Sequence, residues 1–216
     1  MIDDPKPPLV RMLPLRWCWD WRYHPSLHDH MHALGVVAAN YNSLEKIFEL
    51  MVDVCSNLPQ TLPTKLISTL NNNRNRIDTL KSILENDDRT ARDVGLHFLN
   101  GFEICAENHN FLMHGTPFRP DENIGQLILQ KAARKDPLRT NYLHLKVQDI
   151  RTVADDIDLF DDFGVDFIAF ISARRSGGVF KLDDGTSVEP LLPELPLLPE
   201  KLTLSDGPVP DDGSPQ

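Results

Sequence analysis

The sequence contains no continuous apolar run near the roughly 20 residues that a helix needs to cross a bilayer, so we expect a soluble protein with no membrane partner. Its N-terminus begins with acids and prolines and no apolar stretch of signal-peptide length, which predicts a cytoplasmic location. Cysteine is also scarce. Cys18, Cys55 and Cys105 are odd in number and widely spaced, a pattern that indicates reduced thiols and argues against a disulfide framework.

Basic residues are outnumbered by acidic ones. The 22 Lys and Arg against 32 Asp and Glu give a net charge of −10, which argues against a broad nucleic-acid-binding surface. Eight acids and two lysines give residues 176–216 a net charge of −6, which leaves −4 for residues 1–175. The charge does not exclude a local basic binding site, although solvated surface is the simpler interpretation of each basic group. The two candidate groups are Arg74, Arg76, Arg89 and Arg92, and Lys131, Arg134, Lys135 and Arg139.

The central part of the chain has helical periodicity. With 216 residues, 41% of them apolar, the chain is long enough for one domain with a proper core. Apolar residues spaced three and four apart predict four helices, and alternation before the last of them predicts a hairpin. We therefore expect an all-α fold, an antiparallel four- to five-helix bundle with a small β-hairpin excursion before the last helix. The predicted helices span about 26–56, 63–84, 89–113 and 147–173, and the strands 126–130 and 142–145.

The segments on either side of this domain, 26–175, differ from it in composition. In residues 1–25, alternating tryptophans place their rings on one side of an extended segment, which predicts an aromatic lid over the domain; a base-stacking platform is the alternative. Residues 176–216 begin with Ser-Gly-Gly and alternate leucine pairs with proline, which predicts a flexible acidic tail. Docking of these leucines on the domain or on a partner is the alternative.

Two groups of side chains raise the question of a metal site. His28 and His32 are four residues apart on the first predicted helix, so they share a face and could hold a transition metal together. The sequence identifies no third ligand, and capping, stacking or exposure is the simpler interpretation. The aspartates between 155 and 162 are predicted to form a solvated helix face, because a metal site needs ligands converging from other elements.

The densest group of hydrogen-bonding side chains lies in residues 108–115, at the predicted end of the third helix. It contains two histidines, which titrate near neutral pH and suit proton transfer in phosphoester cleavage. The structural alternatives are a buried, hydrogen-bonded His109 and a His114 that caps the helix.

These residues resemble the active-site motif of the HEPN superfamily, small helical bundles that include many RNases of toxin–antitoxin and phage-defence systems. In that motif an arginine is followed by a polar residue, a few others and a histidine, and His109, Asn110 and His114 occupy those places here. The chain departs at His109, because a neutral imidazole holds a phosphate less well than a guanidinium. A second match, Arg92 with His97, keeps the arginine but places the two about 140° apart around a helix. His109 and His114 have the same spacing, but Gly115 and Pro117 are predicted to let the helix unwind there, so the match at Arg92 and His97 ranks second.

The resemblance implies a metal-independent endoribonuclease that needs no cofactor and no metal, formed by a homodimer that brings both motifs into one cleft. His114 would act as general acid or base on an RNA 2′-hydroxyl, Asn110 would orient it, and His109 would assist the phosphate charge. Asn42 and Glu45 from the first helix would line the same cleft, where the carboxylate would raise the histidine pKa. RNA and a cognate antitoxin or regulatory protein are the expected partners. The first alternative is a catalytically inactive HEPN-like dimeric binding or regulatory module. The second is a metal-binding helical protein that uses His28 and His32.

Overall fold

The computed structural model describes residues 28–56, 65, 69–70, 72–117, 126–133, 136–175, 177, 180–181, 186–188 and 191–203. Within these ranges the chain is mostly helical, which confirms the expected helical class. The helices are α1 (His28–Cys55), α2 (Asn73–Leu84), α3 (Arg89–His114) and α4 (Val147–Arg175). The strands are β1 (Thr116–Pro117), β2 (Leu127–Ala133), β3 (Asp136–Leu145), β4 (Phe180–Lys181) and β5 (Ser187–Val188). None of the described helices is both long and apolar enough to span a bilayer.

Local capping determines where two of the helices begin. The Asn72 side chain accepts a hydrogen bond of 2.7 Å from the backbone N–H of Asn75, and Asp88 caps α3 in the same manner. Asn72 has an extended backbone, with φ of −144° and ψ of 149°. The prediction of one helix running through to Leu84 from about 63 is therefore wrong at this point, because an asparagine that caps a helix cannot also continue the preceding one.

The directions of the helices follow from the contacts between their side chains. Asn40 of α1 donates to the Ala154 carbonyl of α4, and Arg175 at the end of α4 donates to the last carbonyls of α1, so these two helices run parallel. By contrast, α3 is antiparallel to both α1 and α4, since Phe48 stacks on Phe102 and Tyr41 stacks on His109 further along α3. The expected antiparallel arrangement thus holds for α3 but not between α1 and α4.

The hairpin of β2 and β3 contributes leucines to the helical core. The strands are antiparallel, with Leu127 opposite Leu145 and Leu129 opposite Leu143, and all four side chains are buried. In an antiparallel pair, residues two apart face the same side, so these leucines form one apolar surface. They join the aromatic residues of the helices in a single core. The short β1 adds to the other edge of β2, and β4 pairs with β5 as a separate hairpin.

Two glycines allow the helices to approach closely. A Cβ atom at Gly101 of α3 would lie 1.9 Å from the Phe160 ring of α4. At Gly164 of α4 it would lie 2.4 Å from Ile47 and 2.7 Å from Phe98. The missing side chains let bulky residues pack directly on the helix backbone, which brings α1, α3 and α4 together around one set of buried phenylalanines.

The described cysteines belong to this core. Cys55 and Cys105 are buried and carry free thiols. Burial raises the pKa of each thiol to about 12, so neither forms an appreciable amount of thiolate at neutral pH. Cys18 lies outside the described residues, as does the whole of the predicted aromatic lid, residues 1–25.

Residues 191–203, within the segment predicted to be a flexible tail, are attached to the helices. We call this segment the strap. The amide of Asn108 on α3 donates to the Glu200 carbonyl at 2.9 Å and accepts from the Leu202 N–H at 3.0 Å. Leu202 packs against the core, while five leucines between 191 and 198 stay exposed. The attachment therefore uses the backbone and Leu202 rather than the leucine pairs.

The glycine contacts predict a difference between two Gly→Ala substitutions. Gly101→Ala should destabilise the protein, since overpacking against Phe160 costs about 1–3 kcal/mol and outweighs the gain of up to about 1 kcal/mol in helix propensity. Gly35→Ala on α1 is the matched control, because a Cβ atom there meets nothing within 4 Å. It should stabilise by about 0.5–1 kcal/mol. Urea unfolding measures both, and equal effects would contradict the close-approach interpretation.

Candidate functional site

The candidate site lies where the end of α3 meets α1 and α2. The His109 ring stacks on the Tyr41 ring with centroids 3.9 Å apart and planes 12° apart. His109 is half-buried, and its Nδ1 atom is buried with no hydrogen-bond partner among the described residues. Buried ring nitrogens are usually hydrogen-bonded in folded proteins, so this atom has an acceptor or donor capacity that the described residues do not use.

A chain of hydrogen bonds connects the Tyr41 side chain to an ion pair. The Asn73 amide donates to the Tyr41 hydroxyl at 3.1 Å. Arg76 Nη1 then donates to Asn73 Oδ1 at 3.2 Å and to Glu45 Oε1 at 2.9 Å. Glu45 lies one turn after Tyr41 on α1. We call Tyr41, Glu45, Asn73, Arg76 and His109 the Tyr41 cluster.

Arg76 is the more deeply placed partner of the ion pair. Its side chain is 13% exposed, whereas that of Glu45 is 35% exposed. The guanidinium carbon also lies 5.1 Å from the centre of the Phe48 ring, within the range of a cation–π interaction. Its Nε atom is buried and has no hydrogen-bond partner among the described residues. Arg76 is thus fixed by its surroundings, with one donor unused.

The electrostatics of His109 differ from the sequence-based prediction. Burial lowers the pKa of His109 and is the largest influence on it. The Glu45 carboxylate acts in the predicted direction and raises the pKa, but burial outweighs it, and His114 lowers the pKa further. His109 is therefore mostly neutral at pH 7, which makes it a proton acceptor rather than a substitute for the arginine cation.

The other predicted site residues lie on the surface around the cluster. His114, in the last turn of α3, is exposed but close enough to His109 to affect its pKa. Asn110 is exposed on α3, and Asn42 is exposed on α1 one residue after Tyr41. The electrostatic influence of Glu45 and His114 reaches His109, and the two asparagines are exposed on the same two helices. The helix α3 continues through His114, so the unwinding predicted before Gly115 does not occur, and His109 and His114 stay about 140° apart around its axis, as Arg92 and His97 do.

The second motif match is not assembled. Arg92 lies 3.5 Å from Asp93, while His97 is 2.7 Å from the Pro196 carbonyl of the strap. The two residues have separate partners on an unbroken helix, so the predicted angular separation is retained. Arg92 and His97 therefore do not form a joint site. Instead, His97 binds the strap.

The histidines at the start of α1 are not joined by a third ligand. His28 and His32 are both exposed, and Nδ1 of His28 is 3.7 Å from Asp29. Throughout the part of the chain that the structure describes, no three His, Cys, Asp or Glu side chains are grouped as metal ligands would be. The aspartate run of α4 is mainly exposed, but Asp156 and Asp161 are half-buried, and burial raises the pKa of both.

The first predicted basic group is paired with acids. Arg76 binds Glu45, and the other three arginines pair with neighbours on their own helices: Arg74 with Asp78, and Arg89 and Arg92 with Asp93. Three of these ion pairs are largely exposed and contribute little to stability. The side chains of the second group, Lys131, Arg134, Lys135 and Arg139, lie outside what the structure describes.

Three members of the Tyr41 cluster were not singled out as site residues in the sequence. Tyr41 fits the apolar stripe of α1, so nothing marked it as a polar partner. Asn73 does carry a signal, because it occupies a position where helical periodicity predicts an apolar residue. Arg76 was part of a basic group whose simpler interpretation was solvated surface. The contact between Arg76 and Glu45 joins residues 31 apart in sequence and has no local signature.

Comparison with family models, with curated proteins and with solved structures finds no match to this chain.

The lowered pKa of His109 predicts a specific pH dependence of stability. The pKa of His109 in the folded state is below the unfolded value of about 6.5. The stability that the neutral His109 ring contributes is therefore fully present above that value and is lost as the pH falls through the folded pKa. His109→Phe keeps a ring on Tyr41 and removes the titration. Between pH 7.5 and 5, Tm should therefore fall more in the wild type than in the variant. Parallel Tm curves for the two proteins would show that burial of His109 has no such effect.

Proposed function

We propose that the chain is a HEPN-like, metal-independent endoribonuclease whose helices form a HEPN-like bundle. It would act as a cytoplasmic homodimer in a toxin–antitoxin or phage-defence system, with RNA and a cognate antitoxin or regulatory protein as partners. The observation that carries the proposal is the pair of electrostatically coupled imidazoles, His109 and His114, beside the Glu45–Arg76 ion pair. Two imidazoles with different surroundings suit an acid and a base that must act in one reaction.

The different burial of the two histidines supports different roles for them. His109 has a lowered pKa and is mostly unprotonated at neutral pH, so it would take the proton from the RNA 2′-hydroxyl. The 2′-oxygen would then attack the phosphorus and form a 2′,3′-cyclic phosphate. The P–O5′ bond breaks, and His114, which is exposed, would donate a proton to the leaving 5′-oxygen. Asn110 would orient the substrate at the exposed end of α3.

Arg76 would supply the positive charge that the motif lacks at position 109. Its guanidinium is permanently charged and lies in the same cluster, linked to His109 through Glu45 and through the Asn73–Tyr41 hydrogen bonds. Glu45, at 35% exposure, is the more accessible end of the ion pair. Displacement of this carboxylate by a phosphate would leave Arg76 free to stabilise the developing negative charge.

One observation favours the alternative of an inactive HEPN-like binding or regulatory module. Arg76 already has its charge neutralised by Glu45, and the residue at the position of the motif arginine is a histidine that stacks on Tyr41. A cluster satisfied in this way could stabilise the fold without chemistry. The metal-binding alternative, through His28 and His32, has no third ligand within the ranges described.

Cleavage of a mixed RNA pool in the presence of EDTA tests the proposed function. The wild type should cleave, and His114→Ala should lose about 10²–10⁴-fold in rate, as expected for removal of a general acid or base. His144→Ala, which removes an exposed histidine of β3, is the matched control and should cleave like the wild type. If no variant cleaves, the wild type included, and the protein is a dimer by native mass spectrometry, the binding module is supported instead. Cleavage abolished by EDTA would contradict the metal-independent mechanism.

A conservative substitution at Arg76 tests whether this residue supplies the positive charge that the motif lacks at position 109. Arg76→Lys keeps a cation near Glu45 but loses the planar group and one of the donors, so cleavage should fall by about 10²-fold, the range seen for loss of one charge-stabilising donor. Arg74→Lys, on an exposed arginine of the same helix, is the control. Circular dichroism checks that both variants fold. Equal cleavage rates for Arg76→Lys and Arg74→Lys would show that Arg76 has no part in the mechanism.

A further inference from the structure

The residues of the strap are least exposed at every third position. Pro199 is buried, and Pro193, Pro196 and Leu202 are half-buried, whereas all the residues between them are exposed. A period of three is that of the polyproline II helix, which has three residues per turn and no internal hydrogen bonds. The strap therefore presents one face of an extended, proline-spaced segment to α3, and its Glu200 is close enough to Asp156 of α4 to raise the pKa of that carboxyl. We call the surface under the strap the groove between α3 and α4.

Hydrogen bonds from α3 hold the backbone of the strap. His97 Nε2 lies 2.7 Å from the Pro196 carbonyl, which can only accept, so this nitrogen carries the proton and donates. Asn108, at 2% exposure, holds the Glu200 carbonyl and the Leu202 N–H with its two amide atoms. The donors and acceptors of a polyproline II backbone are unpaired within the segment, so these contacts meet a requirement that any such segment has.

The aromatic ring that meets the strap is that of His97, which packs on phenylalanines of α4. The His97 ring stacks near Phe160 at 6.0 Å and meets Phe163 edge-on at 5.8 Å, and both phenylalanines are buried in α4. Aromatic-lined grooves with fixed hydrogen-bond donors are a recurring way of binding polyproline II segments. The side-chain ion pair between Lys201 and Glu107, at 2.7 Å, is more than half exposed at both ends and adds little.

The side chains that point away from the groove are not recognised by it. Leu191 is 87% exposed and Leu197 is 90% exposed, so the identity of these leucines does not affect the contact. The requirements of the groove are an apolar residue, preferably proline, at every third position and free backbone groups at the positions facing His97 and Asn108. Such requirements describe a class of ligand rather than one segment.

We propose that the groove between α3 and α4 is a binding site for extended peptides with proline or leucine at every third residue, which the strap fills within its own chain. This site is separate from the Tyr41 cluster and does not depend on the proposed ribonuclease activity. Because the strap is a contiguous peptide whose least exposed residues lie on one face, the groove should bind the same peptide when it is no longer covalently attached.

The full chain can test this with a protease recognition sequence inserted after Gly177, an exposed turn residue. After cleavage, the C-terminal fragment should remain bound in size-exclusion chromatography and native mass spectrometry. A fluorescent peptide of residues 191–203, added in excess, should then replace it. Loss of the fragment with no binding of the peptide would overturn the proposal, whether the remaining helices keep their circular dichroism or unfold.

Matched variants distinguish specific recognition by the groove from nonspecific peptide binding. Asn108→Ala removes two hydrogen bonds and should weaken peptide binding about tenfold or more, and Pro199→Gly in the peptide should also weaken it, since it removes the buried ring and the preference for the extended form. Leu197→Ala in the peptide is the control and should bind within about twofold of the original, because that side chain is exposed. Equal losses from Leu197→Ala and Pro199→Gly would overturn the proposed recognition.

Discussion

The position of α3 depends on the contact between Gly101 and the Phe160 ring. With no side chain on the glycine, the ring lies directly on the α3 backbone, which fixes the distance between α3 and α4. The helix then passes antiparallel to both α1 and α4, and its last turns reach two different neighbours. His109 stacks on Tyr41 of α1, and Asn108, one residue earlier and about 100° away around the axis, holds the strap. Both proposed sites therefore rely on one helix–helix spacing.

Burial and charge oppose each other in the Tyr41 cluster, and burial is the stronger influence on the histidine. Glu45 favours the protonated form of His109, but its own charge is largely offset by Arg76 at 2.9 Å. Burial of the His109 ring away from water therefore determines the direction in which its pKa shifts. The same ion pair keeps a guanidinium in a mostly apolar setting beside Phe48. The cluster thus holds a mostly neutral imidazole and a permanent cation close together.

The sequence was sufficient to predict features that depend on local patterns. The periodicity of apolar residues located α1, α3 and α4 to within a few residues, because each helix buries one face in the core. The pairing of Arg76 with Glu45 could not be predicted in this way, since it depends on how α1 and α2 lie side by side. The strap was missed for a related reason. Its prolines exclude a helix, but the donors that hold its backbone, His97 and Asn108, are about 100 residues earlier in the chain.

The three-residue period of the strap also restricts insertions and deletions. When the buried residues of a segment recur at a fixed interval, a change in its length rotates the later residues away from the surface that they pack against. Loss of one residue between Pro196 and Pro199 would leave Pro196 on His97 but turn Pro199 away from the groove, and Leu202 would miss the position beside Asn108. Changes in the length of this stretch should therefore be tolerated only in multiples of three, whereas the outward leucines can vary freely. The strap is in this respect more sensitive to its length than to most of its composition.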